Sequence, residues 1–389
     1  MNKQGFLNEL DRLTAGLSGQ ERARLSEYYG EMIDDRVEEG VPEEEAVAAL
    51  GDPAALAGEL ASCAPQAASA TASSETVAAL NSLRVSVGSA SVTVVREALD
   101  GGMAAQLRLS DPDRFEWRMD GDTLELTERM VDGKKRALEF GLRWLRQMIS
   151  EPDLRVTIAL SEGIAGALDF KGGGADLLVE GVSFSKAQLV TGSGDIRLKD
   201  VDCAGGIGID IRTHSGDVSL AYVRAANMMA HAASGDISAD NLALSGRLRM
   251  ETASGDIELR SLDCGALSLN TASGDIEVDR GHAATVSIHT ASCDVRVDEL
   301  EAGSTLSVET GSGEIELSRC AAPETRLNAV SGDVSLRLAP LPCGYDVTAN
   351  SVSGDIHFDD GVTASRDGEA QPRIDVRTVS GDIEAQLIG

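Results

Sequence analysis

Ten times between residues 193 and 383 the chain writes Ser-Gly-Asp followed by Ile or Val, with two altered copies, and so returns a carboxylate to the same place every 19 or 20 residues over most of that span. The copies open at Ser193, Ser215, Ser234, Ser254, Ser273, Ser292, Ser312, Ser331, Ser353 and Ser380; Cys293 replaces one glycine and Glu314 one aspartate. Carboxylates held side by side can do two kinds of chemistry. A pair flanking a glycosidic bond can cleave it, one acid giving a proton while the other attacks or activates water. A row can also collect cations, but calcium asks for about six to eight oxygens and one acid per repeat supplies few. Asp236, Asp256 and Asp275 are the candidates for either role, as a carboxylate pair or as a weak cation ladder. A third role is architectural. Asp and Ser bond nearby backbone N–H groups and fix a bend, while glycine allows close backbone approach. Every repeat carries the same acid, so none is singled out as a reaction centre.

Other catalytic signatures are missing. The five histidines (His214, His231, His282, His289 and His357) show no His-x-x-x-His spacing, and there is no nucleophile elbow, phosphate loop or dinucleotide fingerprint. Gly172-Gly-Gly174 reads as a bend. The expectation is a non-enzymatic chain with no catalytic residue, cofactor or metal centre. The alternative is a carbohydrate-active β-helix lyase or hydrolase.

The elements that position these acids follow from the flanking pattern. Leu248, Met250 and Thr252 alternate with polar residues ahead of one copy; Leu267, Leu269, Thr271 and then Val286, Ile288, Thr290 do so ahead of the next two. Behind the aspartate the alternation resumes, as in Ile257-Glu-Leu259 and Ile276-Glu-Val278. Period two over short runs bounded by turn residues predicts half-buried strands. A repeat this short has no room for a crossover helix. It fits one coil of a β-solenoid, each strand pairing with its copy about 4.8 Å away. The fold class expected is mainly β: a single-stranded parallel β-solenoid of about eleven coils, roughly 50 Å long, preceded by a small α-helical bundle.

The chain has 389 residues, 42% of them hydrophobic, and a formal net charge of -30. Such a surface repels phosphate backbones, so nucleic acid is excluded as a partner. Aromatic residues make up only 3%, too few for base-stacking platforms. Cys63, Cys203, Cys264, Cys293, Cys320 and Cys343 are scattered, which predicts reduced thiols. No cleavable signal and no run of 18 apolar residues is visible, so no integral membrane segment and a cytoplasmic location are expected.

Residues 1–62 have a different grammar. Phe6, Leu10, Leu13 and Leu17 recur at helical spacing; Ser18 with Glu21 is a capping box; Gly40 stops the second helix; Pro42 with Glu43, Glu44 and Glu45 starts a third; Asp52-Pro53 starts a fourth. This head resembles the HAAS-type helical domain of bacterial signalling proteins. The resemblance rests on Phe6-Leu7-Asn-Glu-Leu10, on Tyr28-Tyr29-Gly-Glu-Met-Ile-Asp34-Asp35, and on Glu44-Glu45-Ala-Val-Ala-Ala-Leu-Gly51-Asp-Pro53. It implies docking of a protein partner in signalling, with Tyr28 and Tyr29 as candidate contacts. Residues 63–78 read as a flexible linker.

Residues 79–153 read as an irregular β-rich lead-in and cap, and residues 154–389 as the repeats. Leu83-Arg-Val85-Ser-Val87 and Val92-Thr-Val94 resemble a degenerate first coil. Lys134, Lys135, Arg136, Arg143 and Arg146, interleaved with Leu142, Trp144 and Leu145, form one basic amphipathic segment. It either caps the open end of the repeats or touches a membrane or partner, and makes Arg143, Trp144 and Arg146 interaction candidates. The Ser-Gly-Asp ladder and the Leu154–Leu160 strand resemble the bacterial "putative adhesin" β-solenoid repeat family, of undefined function, over residues 80–389. Together the two resemblances imply a rigid acidic adhesin-like scaffold displayed from a docking head, an accessory of envelope-stress signalling. The tail Ile383-Glu-Ala-Gln-Leu387 carries no evident cap, so a homo-oligomer through the C-terminal coil is expected.

Overall fold

Alternation becomes strand wherever the sequence repeats. The computed structural model describes residues 2–14, scattered positions from 22 to 37, 42–48, 50, 52–54, 73–129, 154–341, 343–359, 362 and 371–388. The chain divides into a helical unit within residues 1–71 and a β unit over 72–133 and 152–389.

In the helical unit, helix α1 spans Lys3–Leu13 and helix α2 spans Glu43–Ala48. The Asn2 side chain caps α1 by accepting from the Gly5 N–H at 2.9 Å. Phe6 and Leu10 face inward, and the Phe6 ring meets Tyr29 edge-on at 5.9 Å between centroids. Three glutamates fill the first turn of α2, where the helix dipole favours them. Lys3 ties the pieces together: its N–H donates to Glu43 and its ammonium to Asp34. The proposed capping box at Ser18 and Glu21 and the stop at Gly40 lie outside the described residues.

The β unit is one long series of paired strands. Lys186–Thr191 pairs in parallel with Gly208–Thr213, which pairs with Met228–Ala232, then with Arg247–Thr252, and so on up the chain. A second series runs from Ile196–Cys203 through Val218–Ala225 and Ile237–Leu244 to Ile257 and beyond. In each step like residues lie over like. Leu248, Leu267, Val286 and Leu306 form one buried column; Ile257, Ile276, Val295, Ile315 and Val334 form another. Burying each such side chain is worth about 1.5–3 kcal/mol. The segment Ser82–Arg96 joins the stack as read from sequence, its strands pairing in parallel with Leu168–Gly172 and Leu177–Glu180.

Two features depart from the expectation, and a third reading has no counterpart among the described residues. The strand Arg155–Leu160, expected to open the repeats, pairs in parallel with Ser91–Arg96 and antiparallel with Ala105–Leu109, on the lead-in side. The basic segment 134–149, read either as covering the open end of the repeats or as touching a membrane or partner, lies outside the described residues. Among the described residues, antiparallel strands do the covering: Phe115–Asp120 pairs with Thr123–Glu128, and Ser73–Val77 with Ala105–Leu109. At the other end the order is not sequential. The C-terminal strands Arg373–Ser380 and Ile383–Leu387 lie between Glu324–Leu338 and Asp346–Phe358. The last repeat in space is therefore 346–358, not the C-terminal one. Its inward Ile356 is 44% exposed, whereas the equivalent Ile383 is fully buried.

Candidate functional site

The acids of the Ser-Gly-Asp corner are engaged by backbone. Oδ1 of Asp236 accepts the N–H of Asp256 at 2.9 Å, Asp256 accepts that of Asp275 at 2.8 Å, and Asp275 that of Asp294 at 3.1 Å. The chain of bonds starts at Asp176 and runs to Glu314; it resumes from Asp333 to Asp382 and ends at Asp355. A carboxylate that accepts an N–H from the next repeat lets like charges stack about 4.8 Å apart, a contact that otherwise costs about 1 kcal/mol in water. Among the described residues no group of three or more His, Cys, Asp or Glu side chains could hold a metal ion.

Glycine and threonine complete the corner. A Cβ placed on Gly235 would stand 2.0 Å from the carbonyl oxygen of Gly216, and one on Gly255 2.1 Å from that of Gly235. The buried threonine three residues before the glycine bonds the same carbonyls: the Thr252 hydroxyl donates to Gly235 O at 3.1 Å and Thr271 to Gly255 O at 3.3 Å. Cys293 breaks the pattern. Its Sγ accepts the Gly274 N–H at 2.7 Å, and the Thr290 hydroxyl is left buried without a partner.

A second bend, five residues after each acid from Asp195 to Glu314, carries no sequence signature. Asp200, Tyr222, Asn241, Ser261, Arg280, Glu299 and Arg319 all have φ between 52° and 57°. Each falls out of the strand ladder: Lys199 pairs with Ala221 and Val201 with Val223, skipping the residue between. Two successive outward residues, such as Lys199 and Asp200, break the alternation there. The period of these positions could have exposed them; their residue types could not.

Beside this second bend lies an open trough of about 820 Å³. Tyr222 stands at it, 55% exposed. Arg224 pairs with Asp202 at 2.9 Å, and His282 Nδ1 lies 3.4 Å from Asp263. Unlike groups meet here, as an enzyme would need. Of the three acids that line it, Asp202 and Asp263 sit three strands apart in one column, about 14 Å, while Asp200 lies two residues from Asp202 at the bend itself. Paired acids that cleave glycosidic bonds stand about 5–9.5 Å apart. A second trough, of about 740 Å³, crosses the outer face of the strands that lead into the corners.

The remaining sequence candidates are dispersed. Tyr29 is buried in the helical unit against Phe6, so its ring is core rather than contact surface. Tyr28, Arg143, Trp144 and Arg146 lie outside the described residues. Among the described residues Cys203, Cys264 and Cys293 are buried and Cys320 and Cys343 half-buried; burial pushes Cys264 up to about 12 and Cys320 up to about 11, and raises Cys203, so these three sulfurs stay protonated and weakly nucleophilic.

Comparison with known families matches both halves. The Toastrack DUF4097 family model matches residues 154–259 and 227–386, and the HAAS model matches residues 5–59. Both resemblances read from the sequence are thereby met. No curated protein matches. Among solved structures, a putative adhesin from Parabacteroides distasonis ATCC 8503 is 14% identical, with 68% of this chain and 95% of that chain covered and a TM-score of 0.39. A putative lipid binding protein from the same organism is 13% identical, with 80% and 95% covered and a TM-score of 0.34. A putative adhesin from Bacteroides fragilis NCTC 9343 is 12% identical, with 81% and 95% covered and a TM-score of 0.27. Likeness at this level is weaker than the family match, which carries the assignment.

Proposed function

The chain belongs to the Toastrack DUF4097 family, and we propose that it works there as a non-enzymatic display protein. Its β unit is a single-stranded parallel solenoid of about eleven coils from residue 167 onward, with Ser82–Arg96 stacked beneath. Its helical unit docks a protein partner in the cytoplasm, as an accessory of envelope-stress signalling. The HAAS match supports the docking role. No described helix is long and apolar enough to cross a membrane.

One observation carries the non-enzymatic reading. The repeated acid, the only catalytic group the sequence offers in quantity, accepts a backbone N–H in repeat after repeat. A carboxylate whose Oδ1 is held in that way serves to build the corner. The test uses the full chain with a photo-crosslinking residue at Asn8 or Glu44 on the helical unit, or at Ser238 on the β unit. Capture of one and the same protein from both helical positions, and not from Ser238, is expected. Failure to capture it from the helical positions overturns docking. Release of reducing sugar from a polysaccharide, abolished by Asp256→Asn, overturns the non-enzymatic reading.

A further inference from the structure

Arginine and lysine on the repeats are almost all neutralised in place. Arg197, Arg212, Arg224, Arg260 and Arg296, for example, each lie within 3 Å of a carboxylate. Among the described residues from 160 to 388, three cations have no carboxylate within 4 Å: Lys171, Lys186 and Arg247. All three fall on one face, the outer side of the strands entering the corners, at the end of the repeats nearer residue 167.

That face departs from the rest of a chain of net charge -30. Lys171, Lys186, Arg212, Arg247 and Arg249 point outward from its strands. Only Asp169, Asp210 and Glu251 oppose them, and the last two are held by Arg212 and Arg249. Two of the unpaired cations line the 740 Å³ trough. Lys186, Gly208, Asn227 and Arg247 form one column, so the backbone positions of the two cations stand about 14 Å apart. Between them Gly208 supplies no side chain. Beside them Ile207 is 73% exposed and Met229 faces outward.

We propose that this trough binds an extended acidic peptide segment of a partner protein, with acidic residues toward Lys186 and Arg247 and an apolar side chain against Ile207 and Met229. The spacing fits: four residues of extended chain span about 13–14 Å. The apolar wall favours a peptide over a phosphate polymer or an anionic glycan, which would leave Ile207 uncovered. The acids elsewhere on the chain do not veto it. Beyond about 8 Å their field is screened at physiological salt, and the local charge decides. The inference gives the display reading a ligand chemistry and rests on it.

The test is fluorescence anisotropy of the full chain with a labelled seven-residue peptide of alternating Glu and Leu, and with labelled polyphosphate. Salt-sensitive peptide binding is expected, weakened about tenfold or more by Lys186→Glu with Arg247→Glu and weakened by Ile207→Ser. Arg260→Glu, on another face, leaves it unchanged. Thermal melting verifies that each variant is folded, and alanine at both cation positions replaces the reversal if it is not. No peptide binding by the unaltered chain overturns the proposal. So does polyphosphate binding as tightly as the peptide, which marks a general anion surface. Binding retained in the double variant overturns this site while leaving display by another face intact.

Discussion

At the Ser-Gly-Asp corner the chain turns by pressing a glycine against the carbonyl below it, with an aspartate and a threonine closing the hydrogen bonds. Five residues later it turns again on a single residue near φ +55°, and there it accepts Asp, Tyr, Asn, Ser, Arg or Glu. The first bend is held by contacts between repeats and tolerates almost no change of residue type. The second is held within one residue, its side chain points to solvent, and most residue types are accommodated at a cost of about 1–2 kcal/mol for the left-handed backbone. Repetition in the sequence therefore marks where repeats press backbone on backbone, and variation marks where only side-chain tips meet, as Arg319 does Glu299.

The sharpest way to break this contrast is to add one methyl group to the first bend. Gly235→Ala puts a Cβ 2.0 Å from the Gly216 carbonyl oxygen, and backbone cannot move aside as a side-chain tip can. The displacement also disturbs Thr252, which donates to Gly235 O. We expect a loss of about 3 kcal/mol or more, seen as a lowered midpoint in urea unfolding. An unchanged midpoint would mean the corner yields, and the contact argument fails.

Nature has already run a related experiment at Cys293. The side chain occupies space that the other corners deny, and the record of the adjustment is the unpaired Thr290 hydroxyl. In neighbouring repeats that hydroxyl donates to the carbonyl of the preceding corner, as Thr271 does to Gly255 O and Thr310 to Cys293 O, each at 3.3 Å. Cys293→Gly should let Thr290 bond Gly274 and raise stability by about 1 kcal/mol, from one recovered buried hydrogen bond less the entropy of the added glycine. A lower midpoint would show that the Gly274 N–H to sulfur contact is worth more than the threonine bond it displaced.

The same contrast explains which parts of the fold are legible in the sequence. The period located the strands, the buried columns and the role of the aspartates, because each depends on one residue type recurring at one place. The head was legible through its punctuation at Pro42 and its apolar spacing at Phe6 and Leu10. The order of the last repeats was not. Residues 346–358 and 373–387 carry the same motif, so each can sit on Glu324–Leu338 equally well by pattern, and the choice rests on connecting chain that the motif does not encode. The 27-residue spacing before Ser380 was the one hint. The basic trough was also hidden. Lys186 and Arg247 are 61 residues apart and meet only through register. The lead-in cap depends on Glu128, whose carboxylate accepts the Gly88 N–H at 2.6 Å and the Ser89 N–H at 3.1 Å, an isolated contact that no period announces.

The smallest effect tests the second bend. Ser261 has φ 55° and is skipped by the ladder, with Arg260 pairing to Asp279 and Leu262 to Gly281. Glycine there removes the steric cost of the left-handed region but adds freedom to the unfolded chain, so Ser261→Gly should stabilise by no more than about 1 kcal/mol. Ser261→Val should lower stability by a similar amount, because a branched Cβ crowds that backbone most. Thermal melts of the two variants should therefore fall on opposite sides of the unaltered chain. Both falling on the destabilised side would mean that the serine side chain makes a contact the repeats depend on. The second bend would then be like the first, fixed by neighbours rather than by its own backbone.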